Sequence, residues 1–341
     1  MDIERFLEDI EERLEPDEEE EVLAAWHTWA MHENTHPFSG CPRKPRKAGV
    51  EWQYININDA LADDDLMVLS QFYNVHKALE TGAGRTLYVR ANYGVGNIAT
   101  MFGAPLFVMD READTLPNVR AIGPEKAAAF ARGELVPDMK EGNGASILRM
   151  AERFQRIRER YPKIARFVRI EQPDLQGPMD NCELLWGSEI FYALYDEPDI
   201  IHALLKTVTR LIEDMADKWH ELFPRTDGTC SYFTHVEKGG IAIRDDSAMN
   251  LSPEFFDEYI APYDGYLLKK YGGVVHFCGR GDHFIGSLSK LEGLNGVNIS
   301  QPHLNDMDKI FSATADRGIN LSITAPEVDM TGHDRARILY W

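Results

Sequence analysis

Long apolar runs are missing from this chain, and with them any segment able to cross a bilayer as a helix, which takes about 20 consecutive apolar residues. The start, Met1-Asp2-Ile3-Glu4-Arg5, lacks the basic head and apolar block of a signal peptide, so a cytoplasmic protein is expected. Cysteine is scarce. The four present, Cys41, Cys182, Cys230 and Cys278, are widely scattered, which fits a reducing compartment rather than a disulfide framework. Cations are scarce as well: 36 Lys and Arg face 56 Asp and Glu, a net charge of -20. That balance excludes broad contact with nucleic acid, which needs a clustered basic surface, and disfavours anionic membranes. No repeat period and no dividing linker is visible.

What is present is enough apolar residue, 44% of 341, to bury a large core. Much of the acidic excess lies in residues 2–21, where twelve acids face only Arg5 and Arg13, and a solvated helix face is its expected meaning. Ile3, Phe6, Leu7, Ile10 and Leu14 have helical spacing. Pro16 opens a second helix carrying Val22, Leu23, Trp26 and Trp29, aromatics at core spacing. The run Cys41-Pro42-Arg43-Lys44-Pro45-Arg46-Lys47 reads as a surface loop, with an anion-binding flap as the alternative. Residues 1–50 are thus expected to form a helical extension, and residues 51–341 the main domain.

From Val50 onward, short β-rich runs alternate with longer helical ones, the pattern of parallel strands with helical crossovers. Strands are expected over 52–57, 86–91, 105–109, 166–171, 229–234, 240–243, 273–278, 296–300 and 319–323, and helices over 61–80, 145–160, 198–222, 252–271, 282–291 and 305–316. Several expected strand ends carry polar clusters. Arg90, Asn92 and Tyr93 follow one, Gln172 and Gln176 another, and Glu237, Arg244 with Asp246, and His303 follow others. Gly94-Val95-Gly96 lacks the third glycine of a dinucleotide fingerprint.

The most informative stretch is Val274-Val275-His276-Phe277-Cys278-Gly279. Side chains two apart on a strand share a face, so His276 and Cys278 point the same way, and the glycine beyond lets the chain turn into a loop. A mixed nitrogen and sulfur pair suits zinc, although a zinc site needs at least a third protein ligand. Glu237 is the first choice for it, because Gly239-Gly240 would let the backbone carry a carboxylate across, and His303 is the alternative.

Gln176-Gly177-Pro178-Met179-Asp180, Ile243-Arg244-Asp245-Asp246, Leu251-Ser252-Pro253-Glu254-Phe255-Phe256 and His276-Phe277-Cys278-Gly279 together resemble the uroporphyrinogen decarboxylase superfamily. The likeness runs from about residue 86 to residue 325 and is closer to the cobamide-dependent zinc methyltransferase branch than to the decarboxylases. The arginine-rich motif of the decarboxylases is echoed only by Arg90. The resemblance implies an α/β fold, a (β/α)8 TIM barrel with an N-terminal helical extension. It implies zinc on His276 and Cys278, and a corrinoid (cobalamin-type) co-substrate or a corrinoid protein exchanging a methyl group with a small-molecule donor or acceptor. It also implies a homodimer. The branch commonly takes its third ligand from a late cysteine, whereas this chain has none after Cys278 and ends at Trp341, about where one more βα unit is expected. Glu237, Arg244, Asp246 and His303 are the expected catalytic or ligand-positioning groups, and Arg90, Asn92, Tyr93, Gln172 and Gln176 the expected substrate contacts. Two other functions stay open: decarboxylation of a tetrapyrrole acid held by Arg90, Arg244 and Arg280, and a non-catalytic corrinoid or tetrapyrrole binder.

Overall fold

A computed structural model describes residues 2–232, 235–324 and 328–340. Two helices lead, α1 (Ile3–Arg13) and α2 (Pro16–Ala30), and α3 (Asp64–Thr81) runs into β1 (Leu87–Arg90). The ends of α3 are set locally: the Asp63 carboxylate accepts from the Asp65 and Leu66 N–H groups, and Gly82 closes it at φ 71°. Then come α4 (Asn143–Arg160), α5 (Pro162–Phe167), β2 (Val168–Glu171), α6 (Pro178–Trp186) and α7 (Pro198–Leu222). A hairpin of β3 (Thr229–Tyr232) and β4 (His235–Lys238) precedes β5 (Ile241–Arg244), α8 (Ala261–Tyr271), β6 (Gly273–Phe277), β7 (Leu294–Ile299), β8 (Asn320–Ile323) and β9 (Ile338–Tyr340).

Strands β5 to β9 form one parallel sheet in chain order, and β1 pairs in parallel with β2. The expected α/β architecture is therefore present, but hydrogen bonds among the described residues do not close the strands into a barrel. Two side chains bridge the gap beyond β2. The Gln172 amide donates to the Ala242 carbonyl at 2.8 Å and accepts from the Ala242 N–H at 3.1 Å, standing in for a strand's backbone. Arg169 reaches Ser231 and Thr229 of β3 at 2.7 and 2.6 Å. Outward residues such as Val275, Phe277, Val297 and Ile299 pack with the helices in the main core. No helix among the described residues is long and apolar enough to cross a membrane.

The acidic leading helices keep the solvated face that the sequence led us to expect, with Asp2, Glu4, Glu8, Glu12, Glu15, Asp17, Glu20 and Glu21 exposed, and bury the opposite face. Leu7, Ile10 and Leu14 enter the main core, and a few of the acids are engaged by the arginine-rich α4 and α5. Glu4 pairs with Arg160, Glu20 with Arg166 at 2.6 Å, and Glu11 accepts from the Lys163 and Ile164 N–H groups that open α5. Trp26 and Trp29 are buried, as their spacing indicated. Residues 52–57 form no strand. They run into a short helix, Ile57–Ala62, capped by Asn56, while Trp52 packs on Phe6 and His76.

Candidate metal centre

Four neighbouring strands put one row of side chains on a single face. Arg244 registers with His276, His276 with Asn298, and Asn298 with Ser322. His276 lies near the carboxyl end of β6, and Cys278 follows one residue past it on the same side. Gly279 then turns the chain at φ 77°, where a Cβ would collide with the Met249 side chain. Asp246 begins a short 3-10 turn just after β5, and the Asp180 carboxylate of α6 secures that turn by accepting from the Asp246 and Ser247 N–H groups at 3.0 and 2.8 Å.

Asp246, His276 and Cys278 each offer a donor atom, and all three lie within 4.8 Å of one another. The His276 Nε2 is 3.4 Å from the Cys278 Sγ and 3.7 Å from the Asp246 Oδ1. A tetrahedral ion with bonds of about 2.0–2.3 Å sets its ligands about 3.3–3.8 Å apart, so the spacing suits zinc. The tautomer suits it too. The His276 Nδ1 meets the Asn298 Oδ1, whose amide is oriented by an Nδ2 contact to the Ser322 carbonyl at 3.5 Å. An oxygen acceptor keeps the proton on Nδ1 and leaves the Nε2 lone pair facing Cys278 and Asp246. Burial lowers the His276 pKa, which favours the neutral imidazole a metal requires. Burial first, and then the Asp246 carboxylate, push the Cys278 thiol up, so ionisation there waits on a cation.

Among the described residues it is Asp246 that stands with His276 and Cys278, and neither Glu237 nor His303 lies in that group. Glu237 lies on the returning arm of the β3–β4 hairpin, and its buried carboxylate is 3.4 Å from Trp29 Nε1, Asn320 Nδ2 and Ser322 Oγ, outside the donor group. His303 sits in a 3-10 turn, Pro302–Leu304, and is exposed. The expected substrate contacts also disperse. Arg90 faces Glu171 at 3.9 Å, Tyr93 is buried, and Gln172 is committed to β5. The Asn92 Oδ1 is buried with no hydrogen-bond partner among the described residues. Gln176 alone of that set lines the cavity of about 330 Å³ that opens beside Asp246, with Asp180, Glu183, Ser247 and Asn250. The sequence reading passed over Glu183, which falls within a helix. It passed over Asn298 as well, although a polar residue between Val297 and Ile299 was an available signal.

Glu237 still has a measurable consequence. Burial raises its pKa from 4.5 to about 7, the three donors only partly offsetting the cost. Between those values the folded protein holds a proton that the unfolded chain has released, so stability falls as pH rises across the window, by about 3 kcal/mol in total. His235 acts in the opposite sense. Burial brings it down to about 3, so stability is lost as pH falls below 6.5. The two partly cancel in the wild type, and the comparison must be between variants. Glu237→Gln is expected to gain stability relative to wild type as pH goes from 4.5 to 7, measured by urea unfolding at several pH values. A pH-independent difference would mean that Glu237 is already ionised in the fold.

No protein-family model matches this sequence, and no curated protein matches it. Among solved structures the fold is similar to that of a methyltransferase from Methanosarcina mazei, with a TM-score of 0.61 at 15% sequence identity over 90% of this chain and 84% of that one. At that identity the likeness concerns the fold.

Proposed function

We propose that this protein is a zinc-dependent methyltransferase of the uroporphyrinogen decarboxylase superfamily, moving a methyl group between a small substrate and a corrinoid cofactor or corrinoid protein. The observation that carries the reading is the converging donor set of Asp246, His276 and Cys278 at the carboxyl ends of parallel strands, on a fold similar to a methyltransferase. In the same reading the strands are a (β/α)8 barrel whose hydrogen-bond ladder is interrupted at the β3–β4 hairpin. Zinc bound there would supply a Lewis acid with a position open to the substrate, lowering a thiol's pKa or drawing charge from a leaving oxygen or nitrogen. The chain's own part is to hold His276 in the correct tautomer through Asn298, to keep Asp246 in place through Asp180, and to shape the adjoining cavity.

Decarboxylation of a tetrapyrrole acid finds no support in the cations it would need. Arg244 is paired with Asp174 at 3.0 Å, Arg280 with Asp282 at 2.7 Å, and Arg90 faces Glu171. Protein purified without added zinc is expected to carry close to one equivalent of the metal, and to transfer methyl from methylcobalamin to 2-mercaptoethanol. Metal-free protein that reaches full activity without zinc would overturn the proposal.

A further inference from the structure

We infer that the substrate whose heteroatom reaches the Asp246, His276 and Cys278 donors carries a positively charged tail, an ammonium group, and that Glu183 reads it. The inference rests on the metal-site reading given above and adds the charge class of the molecule that occupies the cavity. Among the described residues nothing cationic lines that cavity, whose polar wall comes from Gln176, Asp180, Glu183, Asp246, Ser247 and Asn250. The nearby arginines that could receive a carboxylate, sulfonate or phosphate are engaged by acids of the fold, Arg244 by Asp174 and Arg90 by Glu171.

Glu183 is the acid left over. It is half-buried on α6, its Oε2 accepts from the Ser247 hydroxyl at 2.6 Å, and its Oε1 has no partner among the described residues. No lysine or arginine among the described residues forms an ion pair with it. Asp180, the other acid of the wall, spends both oxygens on backbone N–H groups. Asp246 and Cys278 as ionised ligands bring two negative charges, which offset those of a zinc dication. The charge that remains on the wall is then negative, and Glu183 holds it. A carboxylate in a partly desolvated wall attracts an ammonium and repels an anion far more strongly than it would in water.

Three thiols of similar size separate tail charge from everything else: cysteamine, 2-mercaptoethanol and 3-mercaptopropionate. Titration calorimetry on the zinc-loaded protein is expected to show cysteamine binding at least about tenfold tighter than 3-mercaptopropionate, with 2-mercaptoethanol between them. The thiols also differ in acidity, so the deciding arm is Glu183→Gln. Thiol acidity is the same for both proteins, so the preference of cysteamine over 3-mercaptopropionate, read as a ratio on the zinc-loaded variant, should fall at least about fivefold below its wild-type value. A preference for 3-mercaptopropionate in the wild type, or a cysteamine advantage that Glu183→Gln leaves undiminished, overturns the inference. Failure of the wider reading looks different. If no thiol is methylated by methylcobalamin while the Glu183-dependent preference stands, methyl transfer falls and charge selection holds; if all three are methylated equally well, charge selection falls and methyl transfer holds.

Discussion

Asp246→Ala is expected to weaken zinc binding on the order of a thousandfold, while Glu237→Ala and His303→Ala each retain one equivalent. Structural zinc sites with four protein ligands bind with roughly 10–16 kcal/mol, so one ligand is worth about 3–4 kcal/mol, and losing a group that only orients a ligand costs about 10 to 100-fold. Asp246 belongs to the first kind because its Oδ1 lies 3.7 Å from His276 Nε2 and also accepts from the Cys278 N–H at 2.7 Å, placing it among the donors. Asn298→Leu belongs to the second kind, since it frees the His276 ring without removing a donor. Competition with a chromogenic chelator measures all four variants on one scale. Loss of metal from Glu237→Ala with retention in Asp246→Ala would return the third ligand to the hairpin.

His276 and Cys278 were legible because strand alternation fixes a shared face from sequence spacing alone. Asp246 was visible only as an ordering group, for a physical reason: what brings it to His276 is the pairing of β5 with β6, a contact between residues about thirty positions apart in the chain, which no local spacing encodes. The position of Glu237 was hidden in the complementary way. The sequence from Cys230 reads as one strand with a loop, but the chain doubles back. The returning β4 carries the carboxylate to Gly296 and Asn320, at the amino-end side of β7 and β8 and away from Cys278.

Helices were legible where their caps and periodicity agree, as in α7, which spans the expected residues. Across 252–271 the expected helix is there as one unbroken helical run from Pro253 to Tyr271, but the change of winding inside it was not legible. Ser252 caps a single turn, a π-helical turn follows over Phe256–Ile260, and α8 begins only at Ala261, because Pro262 brings no N–H to continue the hydrogen-bond ladder. The strand at Ile338–Tyr340 was missed too. Its three residues gain their partners from β8 and from Phe38, more than 290 positions earlier.

Glu19→Ala is expected to cost about 3–5 kcal/mol of stability, the usual loss when one member of a buried ion pair is removed. Glu19 accepts from the Arg43 Nε at 2.7 Å and from its Nη2 at 2.9 Å, and the two side chains are 1% and 0% exposed. The rest of the guanidinium is held by the Ala83 and Arg85 carbonyls, so without Glu19 a full charge stays buried against neutral acceptors. The pair also decides between the two readings of the basic loop. Arg43 points into the protein, and Arg46 and the Lys44 N–H are taken by Glu18, so the loop's arginines are stitched to the acidic α2 and are not left open to a bound anion. Glu19→Ala should therefore lose stability in urea without gaining phosphate affinity. The double variant Glu19→Leu/Arg43→Met should recover most of the loss, because well-packed apolar groups can replace a buried pair at little net cost. A loss under about 1 kcal/mol in the single variant would put this pair with ordinary surface ion pairs and leave the loop anchored by something other than Arg43.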